Sequence, residues 1–267
     1  MDILQGLVLG AVQGITEFFP VSSSGHLILV PTFFGWQDQG ALFDVVLHAG
    51  TLVALISVFW KDLMSMAQGA FIQKDSAARR LILMIFVAAI PGLAFGGLFN
   101  SFFEENVRGA SVVVFGLVFW GIILWIADRF AQKRQTVAIH RMEDLQWKHV
   151  LIVGFSQAIA LFPGTSRSGI TITGGLFSGL SRSAAVRFSF LVSIPTIAAA
   201  AAYGLYHLFT DGLGAVSYTE LIIAFISAVI VGIWAIRFLK SYVEKKSFTP
   251  FVIYRFALAI IVLLLVS

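Results

Sequence analysis

Cysteine is absent from this chain of 267 residues, and charged residues make up only 12% of it. Without cysteine the chain can form neither a disulfide nor a thiolate nucleophile or metal ligand. The first residues, Met1 to Ile3, lack the basic region and small-residue cleavage site of a signal peptide, so we expect Leu4 onward to remain in the mature protein. Nucleic-acid binding requires a folded basic face, which a chain with so few charged residues and a net charge of +4 cannot build, so no nucleic-acid partner is expected.

Hydrophobic residues are abundant instead, at 58% of the chain, which is the composition of a membrane protein. Six apolar runs have the length that crosses a hydrocarbon core about 30 Å thick, and they cover residues 44–60, 81–99, 110–127, 186–208, 220–238 and 251–266. Two further apolar regions, 3–34 and 150–180, are broken by proline and glycine near their middles. Their halves are too short to span a bilayer, which predicts a re-entrant helix pair in each region.

Basic residues gather in three connections, 61–80, 129–148 and 237–246, which together hold 13 of the 18 lysines and arginines. The positive-inside rule places these three connections in the cytoplasm. Six spans then put both termini outside, and three spans per half give the second half the opposite orientation. Of the five that remain, Arg108 falls in an outside connection, and Arg182 and Arg187 suit a cytoplasmic edge. The last two, Arg167 and Arg255, lie in apolar segments.

These patterns predict an all-α polytopic membrane protein built as an inverted-topology repeat. Each half is expected to contain one re-entrant helix pair and three transmembrane helices. The predicted organisation is a single integral membrane domain, 1–267, divided into a first inverted repeat (1–127), a cytoplasmic connection (128–148) and a second inverted repeat (149–267).

The stretch from Gln13 to His26 reads QGITEFFPVSSSGH and places a carboxylate, three serine hydroxyls and an imidazole between apolar flanks. Gln13 and Glu17 are four residues apart and therefore share one helix face. Pro20 is expected to end that helix, and the serines that follow supply hydroxyls able to cap a new one. Because the N-terminus of a helix carries a partial positive charge, the stretch predicts a site for a phosphate-sized anion.

A similar stretch occurs in the second half of the chain, where PGTSRSGIT runs from Pro163 to Thr171. Upstream of it, Gln157-Ala158-Ile159 parallels Gln13-Gly14-Ile15. Two Pro-interrupted apolar segments in corresponding positions indicate a binding site where the two repeats meet. A charged side chain at membrane depth costs about 3 kcal/mol unless it pairs with an opposite charge or contacts water. We therefore expect Glu17 and Arg167 to converge, either as a functional pair or as a structural ion pair.

Both motifs, QxxxE followed by PVSSSGH and then PGTSRSGIT, resemble those of the undecaprenyl-diphosphate phosphatase (bacitracin-resistance) family, and the likeness covers essentially the whole chain. The family's acidic motif begins with Glu or Gln, and Gln13 stands here, so a second carboxylate is not available at that place. The resemblance implies hydrolysis of undecaprenyl (C55 polyprenyl) diphosphate to the monophosphate and inorganic phosphate. Such a hydrolase, acting on a phosphoric anhydride, recycles the lipid carrier of cell-wall synthesis and gives bacitracin resistance.

The resemblance also implies a site and a location. The enzyme is expected in the bacterial plasma membrane as a multi-pass protein whose active site opens to the periplasmic or extracellular side. A divalent cation, Mg²⁺ or Ca²⁺, is expected to bridge Glu17 and the diphosphate, with Gln13 as a neutral ligand or as a hydrogen-bond partner of that shell. The implied catalytic residues are Glu17, Ser23, His26 and Arg167, and the implied substrate-binding residues are Ser22, Ser24, Thr165, Ser166, Arg167, Ser168 and Thr171.

Several alternatives stay open at this point. The nucleophile is Ser23 with His26 as its base, which is preferred, or His26 itself, or water. Individually, Ser22, Ser24, Ser168 and Thr171 either bind substrate or have a structural role, helix capping or hydrogen bonds between helices, and the structural role is preferred for each one alone.

The role of His48, the partners and the function each have more than one interpretation. His48 either pairs with Asp44 on its own helix face or joins the site. The expected partners are the polyprenyl diphosphate and membrane lipids, and a homodimer is one assembly that the sequence allows. A secondary transporter or flippase of a lipid phosphate or anion is the alternative function.

Overall fold

The computed structural model describes residues 2–37, 40–106, 109–134, 136, 138–211 and 217–266. These residues form ten α-helices: α1 (Ile3–Thr16), α2 (Ser23–Phe34), α3 (Ala41–Ala67), α4 (Ser76–Asn106), α5 (Ala110–Lys133), α6 (Trp147–Ile159), α7 (Arg167–Ser178), α8 (Arg182–Asp211), α9 (Tyr218–Lys245) and α10 (Thr249–Val266). A π-helical turn, Gln68–Ile72, extends α3. Within the described ranges the backbone forms no strand, which confirms the all-α class.

Five of the helices are long and apolar enough to cross a membrane, and their spanning segments are Leu42–Ile72, Ser76–Phe99, Ser111–Lys133, Arg182–Tyr206 and Tyr218–Lys245. The sequence predicts six spans. The sixth predicted run corresponds to α10, whose apolar segment Thr249–Leu264 is shorter than the other five. The chain is therefore a multi-pass membrane protein with five helices of full spanning length among the described residues.

Both predicted helix breaks are present: the first break is residues 17–22, between α1 and α2, and the second break is residues 160–166, between α6 and α7. Helix α1 ends at Thr16, before Pro20, and α6 ends at Ile159, before Pro163. The helices that follow the breaks begin after Ser22 and Ser166, whose φ angles are 76° and 74°. A positive φ is unusual for any residue but glycine, so both serines hold the backbone in the same strained conformation.

The two serines differ in what their side chains do. The Ser166 hydroxyl accepts a hydrogen bond from the Gly169 N–H and so caps α7 in the usual way. The Ser22 hydroxyl makes no capping bond to the backbone and instead lies 3.4 Å from the Ser24 hydroxyl. The expectation that these serine hydroxyls cap α2 is therefore wrong for Ser22, because its hydroxyl lies against the Ser24 hydroxyl and bonds none of the backbone N–H groups of the first turn.

Close packing of small residues holds the first short helix in the bundle. Helix α1 packs along α9, and α3 packs on both α8 and α9. A Cβ atom added to Gly10 of α1 would lie 2.3 Å from the Ala224 carbonyl oxygen of α9. Small residues allow helix backbones to approach this closely inside a membrane. The contact places the C-terminal end of α1, with Glu17, deep in the protein.

Helix α5 ends at Lys133 and α6 begins at Trp147, so the segment between these two helices lies within the predicted connection 128–148. Part of it pairs with the second half: the Ile139 N–H donates to the Gly179 carbonyl at 3.0 Å, and the Ser181 N–H donates to the Ile139 carbonyl at 2.9 Å. Arg182, next along the chain, pairs with buried Asp128 at 2.5 Å. These contacts tie the connection to the end of α7.

Gly164, in the second break, is required for two independent reasons, and we expect Gly164→Ala to lower stability strongly. Its φ is +82°, and an added Cβ would lie 2.4 Å from the Val113 carbonyl oxygen of α5. Backbone strain costs about 1 kcal/mol and the clash adds ~1 to 3 kcal/mol by displacing α5 from the break. Thermal unfolding in detergent measures the loss.

The matched control is Gly35→Ala, because Gly35 also has a positive φ, +66°, but no atom lies within 4 Å of the added Cβ. Only the strain is expected there, so Gly35→Ala should unfold within a few degrees of the unmodified protein. Equal melting temperatures for the two variants would show that the contact with α5 does not matter.

Candidate active site

Glu17 is the acidic centre of the site. It follows the last residue of α1, and its side chain is only 4% exposed. One carboxylate oxygen accepts hydrogen bonds from the Gln13 amide at 3.1 Å and from the Ser23 hydroxyl at 2.9 Å. The other oxygen meets the Arg167 guanidinium at 2.5 Å. The carboxylate is therefore surrounded by donors from both sequence motifs.

Arg167, the first residue of α7, provides the positive charge that balances Glu17. Its ion pair with Glu17 confirms that the two motifs converge, as expected from the cost of an isolated charge in this position. A second guanidinium nitrogen bonds the hydroxyl of Ser193 on α8. Because its side chain is 18% exposed, the guanidinium retains contact with the outside of the protein.

The structure pairs Ser23 with Glu17 and not with His26. The Ser23 hydroxyl donates to the Glu17 carboxylate, so the acceptor for its proton is already in place. Both ring nitrogens of His26 are occupied elsewhere, by the Ser22 carbonyl at 2.7 Å and the Tyr254 hydroxyl at 2.6 Å. The preferred assignment of His26 as base for Ser23 does not fit this arrangement, because the ring turns back toward the start of its own helix.

Hydroxyl groups of the second motif mainly hold the site together. Ser168 donates to the Phe19 carbonyl of the first break at 3.0 Å. Thr171 donates to the Arg167 carbonyl and lies 2.7 Å from the hydroxyl of Ser189 on α8. These two residues therefore make the hydrogen bonds between segments that were the alternative to substrate binding.

The remaining predicted binding residues differ in exposure. Ser22, Thr165 and Ser166 are buried, and the Thr165 hydroxyl has no partner in the structure. Ser24 is exposed, and Ser23 is partly buried. The first N–H groups of α2 and α7 have no acceptor within their helices. An anion could therefore reach the site from the side of Ser23 and Ser24, where these helix N-termini meet Arg167.

Arg255, which the sequence leaves unexplained, holds the two breaks together. It is fully buried in α10 and donates five hydrogen bonds of 2.8 to 3.1 Å, all to backbone carbonyls. The acceptors lie in the first break, the second break and α5, at Pro20, Gly164, Thr165, Gly116 and Leu117. A lone arginine within an apolar run is the sequence signal that points to such a role.

His48 and Ser193 also reach the site from the long helices. The His48 ring bonds the backbone carbonyl of Asp44 at 2.7 Å through Nδ1, and its Nε2 lies 3.6 Å from the Glu17 carboxylate. The His48 ring therefore bonds Asp44 on its own helix and also lies beside the site, so the two interpretations are compatible. Ser193 carries no sequence signal, since a serine in an apolar helix commonly bonds its own backbone, as Ser193 also does.

A divalent cation has a limited set of ligands here. The described residues contain no group of three His, Asp or Glu side chains placed to hold a metal. The Gln13 amide oxygen, however, is buried without a hydrogen-bond partner, while the nitrogen of the same amide donates to the Glu17 carboxylate. One carboxylate and one amide oxygen suit Mg²⁺ or Ca²⁺ when substrate oxygens complete the coordination. The residues therefore fit the predicted metal site only with a bound phosphate.

A surface cavity of about 660 Å³ lies apart from this centre, in the connection between the halves. Its lining includes Arg80, His140 and Arg141 and none of the predicted site residues. Its cations are already engaged: Arg80 donates to the Leu145 carbonyl, and Arg141 pairs with Glu143. The site at Glu17 and Arg167 is therefore the better candidate for the chemistry.

Comparison with known proteins shows which family the chain belongs to. The family model described as bacitracin resistance protein BacA matches residues 6–261, and this range includes both helix breaks. The chain belongs to the BacA family.

Several curated relatives in the BacA family carry the name undecaprenyl-diphosphatase. The protein from Rubrobacter xylanophilus is 44% identical to this chain, covering 98% of it and 97% of the relative. The protein from Moorella thermoacetica is 43% identical with the same coverage, and the one from Marinobacter nauticus is 42% identical over 97% of each chain. The likeness therefore extends over complete BacA proteins and is not confined to the motifs.

Proposed function

We propose that this member of the BacA family hydrolyses undecaprenyl diphosphate to undecaprenyl monophosphate and inorganic phosphate. The observation that carries the proposal is the Ser23–Glu17–Arg167 arrangement, which joins a hydroxyl, its proton acceptor and a phosphate-binding cation within one hydrogen-bonded group. Relatives more than 40% identical over nearly their whole length are named for this activity. Its membrane setting suits a substrate with a lipid chain.

In the proposed reaction, the Ser23 oxygen attacks the terminal phosphorus while Glu17 takes the hydroxyl proton. The bond from that phosphorus to the bridging oxygen breaks, and undecaprenyl monophosphate leaves with the bonding electron pair. Water then attacks the phosphoserine, and the bond from the phosphorus to the Ser23 oxygen breaks. The Ser23 oxygen takes the proton held by Glu17, and both protons of the water stay on the inorganic phosphate that leaves. Direct attack by water with Glu17 as base uses the same groups without the intermediate.

Arg167 binds the phosphate oxygens and stabilises the charge that develops on them. Its planar group of donors matches two oxygens of one phosphate. In the structure without substrate, those donors are directed to Glu17 and Ser193. A phosphate that replaces the contact with Glu17 leaves this carboxylate freer to accept the Ser23 proton, so substrate binding and activation of the hydroxyl would be coupled. Such electrostatic positioning is the main requirement of phosphoryl transfer.

The proposed cation is Mg²⁺ or Ca²⁺, held by Glu17 and the Gln13 amide oxygen together with the diphosphate. When bound, it would neutralise charge on the phosphate oxygens. The support is the buried and unpartnered oxygen of the Gln13 amide, whose nitrogen contacts the Glu17 carboxylate.

We also propose an inverted-topology repeat of residues 1–127 and 149–267, joined by a cytoplasmic connection at 128–148. Each half has two short helices, separated by a break, and then three further helices. The packing of equivalent helices supports the repeat. Helix α1 packs on α9, and their equivalents in the other half, α6 and α4, also pack on each other. The strained serines at both breaks, Ser22 and Ser166, are equivalent in this scheme.

In this scheme the short pairs α1–α2 and α6–α7 are re-entrant. The proposed setting is the bacterial plasma membrane, with the site open to the periplasmic or extracellular side. A homodimer is the proposed assembly.

The experiment that tests the function is phosphate release from a C55 polyprenyl diphosphate by purified protein in detergent, with and without chelator. Release that a chelator abolishes and added Mg²⁺ or Ca²⁺ restores would support both the activity and the cation. Release that is insensitive to chelator would remove the cation and keep the hydrolase. If folded protein with added metal releases no phosphate, the hydrolase proposal is wrong and transport of the lipid phosphate becomes the function to test.

Arg167→Lys is expected to raise KM and lower kcat together, by about tenfold each, because lysine keeps the charge but loses the planar pair of donors. Steady-state kinetics on the C55 diphosphate measures both constants. Arg182→Lys is the matched control, since Arg182 is 17% exposed and pairs with Asp128 away from the site. Unchanged kinetics in Arg167→Lys would remove Arg167 from substrate binding.

A further inference from the structure

Tyr254 of α10 contacts His26 in a way that defines the state of the imidazole ring. The tyrosine hydroxyl lies 2.6 Å from His26 Nε2, and the two rings are nearly parallel, at 6°. On the opposite side of the ring, Nδ1 lies 2.7 Å from the Ser22 carbonyl oxygen. A carbonyl oxygen only accepts, so Nδ1 carries a proton; in the neutral ring Nε2 then accepts the Tyr254 hydroxyl proton. Nδ1 therefore donates to a carbonyl oxygen, and Nε2 accepts from a hydroxyl group.

This hydrogen-bond chain ends at the strained serine that begins α2. The Ser22 carbonyl accepts from the His26 ring and from the His26 backbone N–H at 3.4 Å. Ser22 holds the backbone at φ 76°, immediately before Ser23. Ser23 and His26 are three residues apart and share a face of the first turn. A displacement of His26 would therefore allow the strained turn to relax and would move the Ser23 hydroxyl away from Glu17.

The Tyr254 end of these hydrogen bonds is also fixed in place. Tyr254 is followed by Arg255, which is fully buried and bonds the carbonyls of both breaks. Helix α10 consequently has a fixed position against the start of α2. His26 is only 6% exposed, whereas Tyr254 is 45% exposed and closes the ring off from the surface.

We propose that Tyr254 is a positioning residue for the reaction, acting through His26 to hold the first turn of α2 and with it the Ser23 hydroxyl. The inference rests on the proposed hydrolase function. It assigns His26 a role in orientation, which agrees with the absence of a hydrogen bond between His26 and Ser23. Loss of the tyrosine hydroxyl should impair the chemical step more than substrate binding, because Arg167 keeps its contacts.

The test is a set of double substitutions at the two residues. Tyr254→Phe should lower kcat about tenfold and leave KM within about twofold, as expected for one partly buried hydrogen bond that aligns a reacting group. In His26→Asn, the amide reaches the position of Nδ1 but offers nothing to Tyr254, so adding Tyr254→Phe should lower kcat by less than about twofold. In His26→Gln, the amide reaches the position of Nε2, and adding Tyr254→Phe should still lower kcat several-fold.

Tyr218→Phe is the matched control, since Tyr218 is 70% exposed at the start of α9 and is expected to leave the kinetics unchanged. A Tyr254→Phe protein with the kcat of the unmodified protein would overturn the proposal. An equal loss in the unmodified and His26→Asn backgrounds would also overturn it, because Tyr254 would then act independently of His26.

A second measurement separates this inference from the proposed function. Ring ¹⁵N resonances of labelled histidine identify His26 by the signal missing in His26→Asn. Tyr254→Phe should shift the Nε2 signal of His26, and Tyr218→Phe should not. If the unmodified protein releases no phosphate, the hydrolase function is wrong, but the Nε2 signal still shows whether Tyr254 contacts His26. If the signal does not shift in Tyr254→Phe, the positioning role is wrong.

Discussion

Glu17→Gln is expected to lower the rate of phosphate release by about 10² to 10⁴-fold, the usual contribution of a general base. Glutamine has the same shape and can still accept the Ser23 hydrogen bond, but it cannot take the proton. It also leaves the Arg167 guanidinium without the carboxylate that it meets at 2.5 Å. Since the loss falls on the chemical step, kcat should account for most of it. Phosphate release under saturating C55 diphosphate measures the effect.

The control is Glu143→Gln, because Glu143 also pairs with an arginine but has a side chain that is 64% exposed. An exposed pair contributes only about 0 to 1 kcal/mol, so this variant should keep full activity and stability. Activity within a few-fold of normal in Glu17→Gln would exclude Glu17 as the base and leave it as a binding residue. Retention of the folded state should be checked by thermal unfolding in both variants.

Arg255→Gln is expected to cause the largest loss of stability, about 3 kcal/mol or more, together with loss of activity. Each buried hydrogen bond contributes about 1 kcal/mol and an abandoned buried acceptor costs more, so losing most of five bonds exceeds the effect of an ordinary substitution. The carbonyls released at Pro20, Gly164 and Thr165 belong to the two breaks. The breaks should separate as the protein loosens, which removes the contact between Glu17 and Arg167.

Unfolding temperature in detergent measures this effect, and Arg237→Gln on α9 is the control because Arg237 is exposed. Arg255→Lys adds a finer comparison, since one ammonium group has three donors and cannot reach five carbonyls on three segments. We expect it to recover only part of the stability. A melting temperature in Arg255→Gln equal to that of Arg237→Gln would show that the five bonds do not hold the breaks together.

The sequence alone determined the helical membrane class, the two helix breaks and the meeting of Glu17 with Arg167. Each of these follows from a strong local or energetic constraint. Apolar composition requires helices in a membrane, Pro20 and Pro163 end the helices that precede them, and an unpaired charge at this depth is too costly to persist. Such constraints act whatever the detailed packing of the helices.

Tertiary structure alone decided which side chains complete the site. Spacing permitted Ser23 to pair with His26, but the imidazole ring turns toward the Ser22 carbonyl, and Ser23 bonds Glu17. The contributions of Tyr254 and Arg255 come from a helix more than 220 positions later in the chain, brought against the first break by packing. The physical reason is the short reach of hydrogen bonds: a partner is selected within about 3 Å, and only the packed arrangement of helices specifies positions that closely.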